Sequence, residues 1–145
     1  MAKKLLSRVP FVTVNRIAEA STAFGQAMSQ PYEIAGFWLN SITQLPSYEG
    51  EKENLYVFLL NTKHKLIGVN LISLGSLNES VIHVRETFRA AIAMGAYSIA
   101  LAHNHPTGDT TPSEADRSVT YRMKEAGKLL QIPLLDHIIY GGPGN

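Results

Sequence analysis

Tyr97-Ser98-Ile99-Ala100-Leu101-Ala102-His103-Asn104-His105-Pro106-Thr107-Gly108-Asp109-Thr110-Thr111-Pro112-Ser113-Glu114-Ala115-Asp116 is the stretch on which the fold turns. Tyr97 to Ala102 is a short, nearly continuous apolar run, which predicts a strand buried on both faces. Pro106, Gly108 and Pro112 supply the turn chemistry that ends it. Thr111-Pro112-Ser113-Glu114 then has the form of a capping box, with Thr111 as the cap, Pro112 in the first helical position and Glu114 reaching back. The predicted helix continues to about Lys128, with Gly127 near its end. Strand, loop and capped helix follow one another within thirty-odd residues.

The flanks extend this alternation. Downstream, Leu134 to Tyr140 reads as a last strand. Upstream, Val84 to Met94 is helical, with Val84, Phe88, Ala91 and Ile92 expected on the inner face, and Gly95 stops it. Leu55 to Leu60 and Lys65 to Leu74 read as two strands joined by the turn Asn61-Thr62-Lys63-His64-Lys65. Near the amino terminus, Val9 to Val14 suggests a short strand. Ser29 or Gln30 caps a helix that has Pro31 first and Ile34, Phe37, Trp38 and Ile42 facing a core. The polar segment Pro46 to Asn54 is a loop. The class is α/β (α+β), a mixed β-sheet flanked by helices. Residues 1–49 are expected to form a strand-and-helix extension packed on the same domain, and 50–145 its body.

Composition narrows the chemistry. The chain has 145 residues, 45% of them apolar and 17% charged, enough for one packed domain. It has no cysteine, which excludes a disulfide framework, a zinc finger, an iron–sulfur site and a cysteine nucleophile. Any metal must be held by nitrogen and oxygen, so the five histidines matter most. A net charge of +1 lacks the excess of Lys and Arg expected of a nucleic-acid binder. Lys3, Lys4 and Arg8 precede no signal-like apolar run. The longest apolar stretch, Ala90 to Ala102, falls short of the roughly 18 residues of a membrane span. No membrane association and a cytoplasmic location are the expectations.

In an extended chain, residues two apart project to the same side, so His103 and His105 can aim at one point. The connection to Asp116 can fold the helix start back toward them, and Ser113 lies on neighbouring helix surface. Two imidazoles and one carboxylate leave a fourth tetrahedral position for water, as in a catalytic zinc site. The same ligand types also form the facial triad of iron oxygenases, although there the two histidines are usually far apart in sequence. A proton acceptor must come from elsewhere, and spacing alone leaves Glu49, Glu51 and Glu53 open. His64 reads as a solvent-exposed turn residue, His83 as a capping or packing residue, and His137 as a satisfied core histidine or a partner of a ligand.

His-x-His, seven intervening residues beginning with Pro106, and Ser-x-x-Asp resemble the JAMM motif of the JAB/MPN metalloprotease superfamily. Gly75-Ser-Leu-Asn, His83-Val-Arg-Glu-Thr-Phe-Arg-Ala-Ala, Ala102-His-Asn-His-Pro-Thr-Gly-Asp and Leu134-Leu-Asp-His-Ile-Ile are similar to its RadC branch, historically labelled DNA repair proteins. The resemblance runs from about Glu53 to Gly142. It implies a cytidine-deaminase-like mixed sheet, zinc (Zn2+) on His103, His105 and Asp116, and Ser113 as donor to the developing oxyanion. The family's glutamate precedes by eight residues the Asp or Asn that ends its strand. Here that residue is Asn61, and the resemblance therefore selects Glu53 as general base.

The resulting expectation is a JAMM-type zinc hydrolase that cleaves a peptide, isopeptide or other amide bond in a peptide or protein substrate. The alternative is a RadC-like accessory factor or nuclease acting on or with DNA. Relatives usually carry an amino-terminal helix-hairpin-helix module, of which Met1–Glu49 shows no sign, and continue beyond Asn145 into a short strand. Neither substrate identity nor oligomeric state is written in the residues.

Overall fold

The computed structural model describes residues 25–75 and 82–144. Helix α1 (Pro31–Asn40) and a single 3-10 turn (Ile42–Gln44) come first. Strands β1 (Glu53–Leu60) and β2 (Leu66–Gly75) form a hairpin, followed by helix α2 (Val84–Met94). Strand β3 (Ser98–Asn104), helix α3 (Glu114–Leu130) and strand β4 (Leu134–Tyr140) complete the described chain. The strand suggested for Val9–Val14 lies outside the described residues.

The four strands form one mixed sheet in the order β2-β1-β3-β4. β1 pairs antiparallel with both β2 and β3, and β3 pairs parallel with β4. The two inner strands are covered on both sides, which explains why they read as unbroken apolar runs. One face carries Leu55, Val57, Leu59, Ile99 and Leu101 against Phe88 and Ala91 of α2 and Val119 and Met123 of α3. The other carries Tyr56, Phe58, Leu60, Ala100 and Ala102 against Ile34 and Trp38 of α1. Trp38 is fully buried, with Tyr48 and Tyr56 meeting it edge-on.

The helix starts follow local chemistry. Pro31 opens α1, and the Glu33 carboxylate accepts the Gln30 amide at 2.8 Å. α2 ends at Gly95, whose φ of 64° closes the helix in the left-handed conformation. Its inner face is Thr87, Phe88 and Ala91, whereas Ile92 is 59% exposed. At 100° per residue, Ile92 lies about 40° beyond Phe88 on the side away from Ala91 and Thr87, at the edge of the buried face. His83 occupies the cap position without a side-chain cap bond and is exposed.

The start of α3 differs from the expectation. Its cap is Ser113 rather than Thr111, and the helix begins at Glu114. Ser113 Oγ accepts the Asp116 amide at 3.1 Å, while Asp116 Oδ2 accepts the Ser113 amide at 2.7 Å. The reciprocal box is thus Ser113-x-x-Asp116, so Asp116 rather than Glu114 reaches back. The strand before it is also longer than predicted, because pairing with β1 and β4 carries it through His103 and Asn104.

Two helical glycines face opposite circumstances. A β-carbon on Gly127 would lie 2.6 Å from the Ile132 carbonyl oxygen, where the chain turns back beneath α3, whereas one on Gly36 meets nothing within 4 Å. Gly127→Ala should therefore destabilise by about 1–3 kcal/mol through overpacking, and Gly36→Ala should stabilise by about 0.5–1 kcal/mol. Urea unfolding of both variants checks this. Equal shifts would contradict the packing at Gly127.

Candidate metal centre

β3 brings His103 to the end of the central strand on the same face as Ile99 and Leu101, which α3 covers. The side chain is fully buried. His105 stands just beyond the strand, where its amide donates to the Tyr140 carbonyl at 2.9 Å. Asp116, one turn into α3, is held in place by the capping box and is 2% exposed.

The three side chains meet. His103 Nε2 lies 2.9 Å from His105 Nε2 and 3.1 Å from Asp116 Oδ1, and His105 Nε2 lies 3.2 Å from Asp116 Oδ2. These spacings approach the roughly 3.3 Å edge of a tetrahedron built on zinc bonds of about 2.0 Å. Asp116 Oδ1 makes no hydrogen bond, although it is buried. A buried carboxylate oxygen facing two imidazole nitrogens calls for a cation. The group can hold a metal ion with nitrogen and oxygen donors.

The surroundings orient the rings. The loop Pro106–Pro112 turns at Gly108, whose φ is 82° and whose amide donates to the His105 carbonyl at 3.0 Å. The Asp109 carbonyl then accepts a hydrogen bond from His105 Nδ1 at 2.6 Å. Because a carbonyl can only accept, the proton sits on Nδ1, and Nε2 can present a lone pair whenever the ring is neutral. His103 Nδ1 lies 2.8 Å from His137 Nε2, and His137 Nδ1 lies 2.6 Å from Thr120 Oγ1.

Burial, reinforced by the neighbouring His137, pushes the His103 pKa from 6.5 down to about 3. Burial likewise lowers that of His137 to about 4. The Asp116 carboxyl also falls below its ordinary value: burial opposes ionisation, but the Ser113 amide and the two imidazoles outweigh it. A neutral His103 beside an ionised Asp116 is the combination that metal ligation requires.

Among the three glutamates, Glu49 is exposed and ion-paired with Lys52 at 2.6 Å, and Glu51 is exposed. Glu53 opens β1, half-buried. Leu55 pairs with His103, so alternation puts Glu53 on the His103 face, one pair further toward His105. Ser113 is exposed at the α3 cap. His64 is half-buried rather than solvent-exposed, in a left-handed turn conformation with φ 54°. Neither His64 nor His83 joins the cluster.

Three contributors escaped the sequence reading. Asn104, between the two histidines, points to the opposite face, where its Oδ1 accepts the Asn54 amide at 2.8 Å and its Nδ2 donates to the Lys52 carbonyl at 2.9 Å. Asn54 Nδ2 donates in turn to the Glu49 and Lys52 carbonyls. This buried amide pair ties the loop before β1 to the end of β3. A polar residue alternating with the histidines of a buried strand was the available signal for Asn104. Thr120, one turn beyond Asp116, carried none.

The lowered histidine values set a pH dependence for the metal-free protein. Well above pH 6.5 both rings are neutral in folded and unfolded chains alike, so neither contributes a slope. As pH falls from 6.5 toward 4, the unfolded chain binds protons that the folded chain refuses, and stability is lost. Denaturant unfolding in the presence of chelator should show this decline, and His137→Gln should shallow it. A profile flat over that range would contradict the burial of both rings.

The chain is 54% identical to a UPF0758 protein of Caldanaerobacter subterraneus subsp. tengcongensis over 90 residues, 62% of this chain and 39% of the relative. It is 52% identical to one of Chlorobaculum parvum over 90 residues, 62% of this chain and 40% of the relative. With a UPF0758 protein of Moorella thermoacetica it shares 41% identity over 128 residues, 88% of this chain and 54% of the relative. The chain thus covers about half or less of the length of these curated relatives. The RadC-like JAB domain matches residues 28–144, which takes in α1, the whole sheet and all three clustered side chains, and the chain belongs to that family.

Proposed function

We propose that this domain is a zinc-dependent hydrolase that cleaves a peptide, isopeptide or other amide bond. The observation that carries the reading is the convergence of two imidazole nitrogens and a buried, incompletely hydrogen-bonded carboxylate at the end of the central strand. His103, His105 and Asp116 would hold the metal. When bound, zinc supplies Lewis acidity and lowers the pKa of a water molecule to about 7.

The chain's own residues supply the rest. Glu53, on the His103 face of β1, takes the proton from the attacking water and later delivers it to the leaving amine. Asn54 and Asn104 support that role by holding the start of β1 against the end of β3. Ser113 Oγ already accepts the Asp116 amide, so its own proton is available to the oxyanion that develops on the substrate carbonyl. The apolar strands behind His103 keep bulk water from one side of the ligand group.

Glu53→Gln tests the mechanism. Zinc should remain bound at wild-type stoichiometry, while hydrolysis of a fluorogenic peptide library should fall by about 100- to 10,000-fold. Undiminished turnover in that variant would refute Glu53 as the base. Zinc-loaded wild-type protein inert toward every library member, yet tightly bound to DNA at physiological salt, would favour the DNA-directed alternative.

A second variant tests the support of His105. A β-carbon on Gly141 would lie 2.5 Å from the Gly108 carbonyl oxygen and 2.7 Å from Thr110 Cγ2. Gly141→Ala should displace the loop that carries the Asp109 carbonyl, lowering zinc affinity by about tenfold. Competition against a chromophoric chelator measures it, with unchanged affinity as the contrary result.

A further inference from the structure

The hydrogen-bond chain behind His103 runs away from the candidate metal position and ends on backbone. Thr120 Oγ1 lies 2.6 Å from the Asp116 carbonyl oxygen and 2.6 Å from His137 Nδ1, and His137 Nε2 lies 2.8 Å from His103 Nδ1. The direction of every proton in this chain follows from its terminus. The Asp116 carbonyl can only accept, so the single hydroxyl proton of Thr120 is given to it. Thr120 Oγ1 must then accept from His137, which places the His137 proton on Nδ1.

His137 is neutral on the same geometry. Its ring nitrogens touch a hydroxyl and another imidazole but no carboxylate, and burial outweighs the more distant pull of Asp116 and Asp136. Its Nε2 therefore carries a lone pair and accepts from His103 Nδ1. The remaining nitrogen of His103, Nε2, is left as a lone pair directed at His105 and Asp116. The reversed direction would put a hydrogen on that nitrogen, toward His105 Nε2 and Asp116 Oδ1.

We propose that His137, set by Thr120, is a positioning residue that locks His103 in the Nδ1–H tautomer and so presents its Nε2 lone pair to a metal. This rests on the metal-centre reading above, although the tautomer itself exists without metal. The β4 strand places His137 beside Leu101, on the face that His103 shares. An acceptor at Nδ1 orients a ligating imidazole and raises its basicity. His105 obtains the same service from the Asp109 carbonyl. Each of the two rings thus has its own dedicated acceptor, one from a neighbouring loop and one from a distant strand.

Two measurements test this. In metal-free protein near pH 7, nitrogen-15 NMR of the imidazole rings should show His103 protonated on Nδ1 and His137 protonated on Nδ1. In the same protein, His137→Leu, which removes the acceptor at similar volume, should weaken zinc by 10- to 100-fold. His137→Gln, whose amide oxygen can occupy the Nε2 position, should restore most of that loss. Thr120→Val should weaken zinc and convert part of the His103 population to the Nε2–H tautomer, while Thr120→Ser should match wild type.

A His103 ring protonated on Nε2 in the metal-free wild type would overturn the proposal. So would equal zinc affinity in the Leu and Gln variants of His137, provided both retain the wild-type circular dichroism spectrum. If His137→Leu does not fold, the Thr120→Val and Thr120→Ser pair carries the test, and identical tautomers and affinities there refute it. Wild-type protein that binds no zinc would refute the metal-centre reading instead, and the tautomer measurement would still decide this one.

Discussion

The antiparallel pairing of β1 with β3 is the constraint from which the candidate centre follows. Both strands are covered on two sides, so neither can slip by one residue without turning its apolar set onto the wrong face. That register puts His103 opposite Leu55, fixes the face on which it points and sends Asn104 to the other. The Asn54–Asn104 amide pair then closes the end of the ladder, where regular pairing gives out. Apart from Asn54 Oδ1, the polar atoms of these two side-chain amides are hydrogen-bonded, which fixes the end of the strand.

Asp116 joins two demands that usually fall on separate residues. As the third residue of α3 it satisfies the Ser113 amide, which any helix start needs. The same carboxylate faces His103 and His105. Anchoring this carboxylate through the helix backbone removes most of its rotational freedom, so little ordering would oppose the binding of a cation there. The helix gains a cap in return, and losing this carboxylate would injure fold and site together.

Much of this was legible in the residues because it is local. Pro31, Gly95 and the apolar runs of β1 and β3 mark their elements by backbone restriction and patterning, and the structure keeps them. His103 and His105 are brought together by strand alternation, which a sequence displays directly. The start of α3 was misplaced because Thr111-Pro112-Ser113-Glu114 and Ser113-Glu114-Ala115-Asp116 both satisfy the capping pattern. The second prevails here, with Asp116 reaching the Ser113 amide. Thr120 and His137 could not be linked in advance, because their contact depends on how α3 lies across β4. Glu53 remained one of three glutamates until the pairing of Leu55 with His103 set its face.

The acceptors behind the two imidazoles differ in sequence distance: Asp109 lies four residues from His105, whereas His137 lies thirty-four from His103. A short loop can form early and alone, but the second acceptor arrives only when β4 docks beside β3 after the α3 crossover. Contacts of that separation are slow to form, because loop closure precedes their reward. A nascent or partly unfolded chain therefore displays His103 and His105 without the arrangement that makes them a matched pair. Convergence of the two rings with both of their acceptors is therefore a late event of folding, completed only when the sheet is whole.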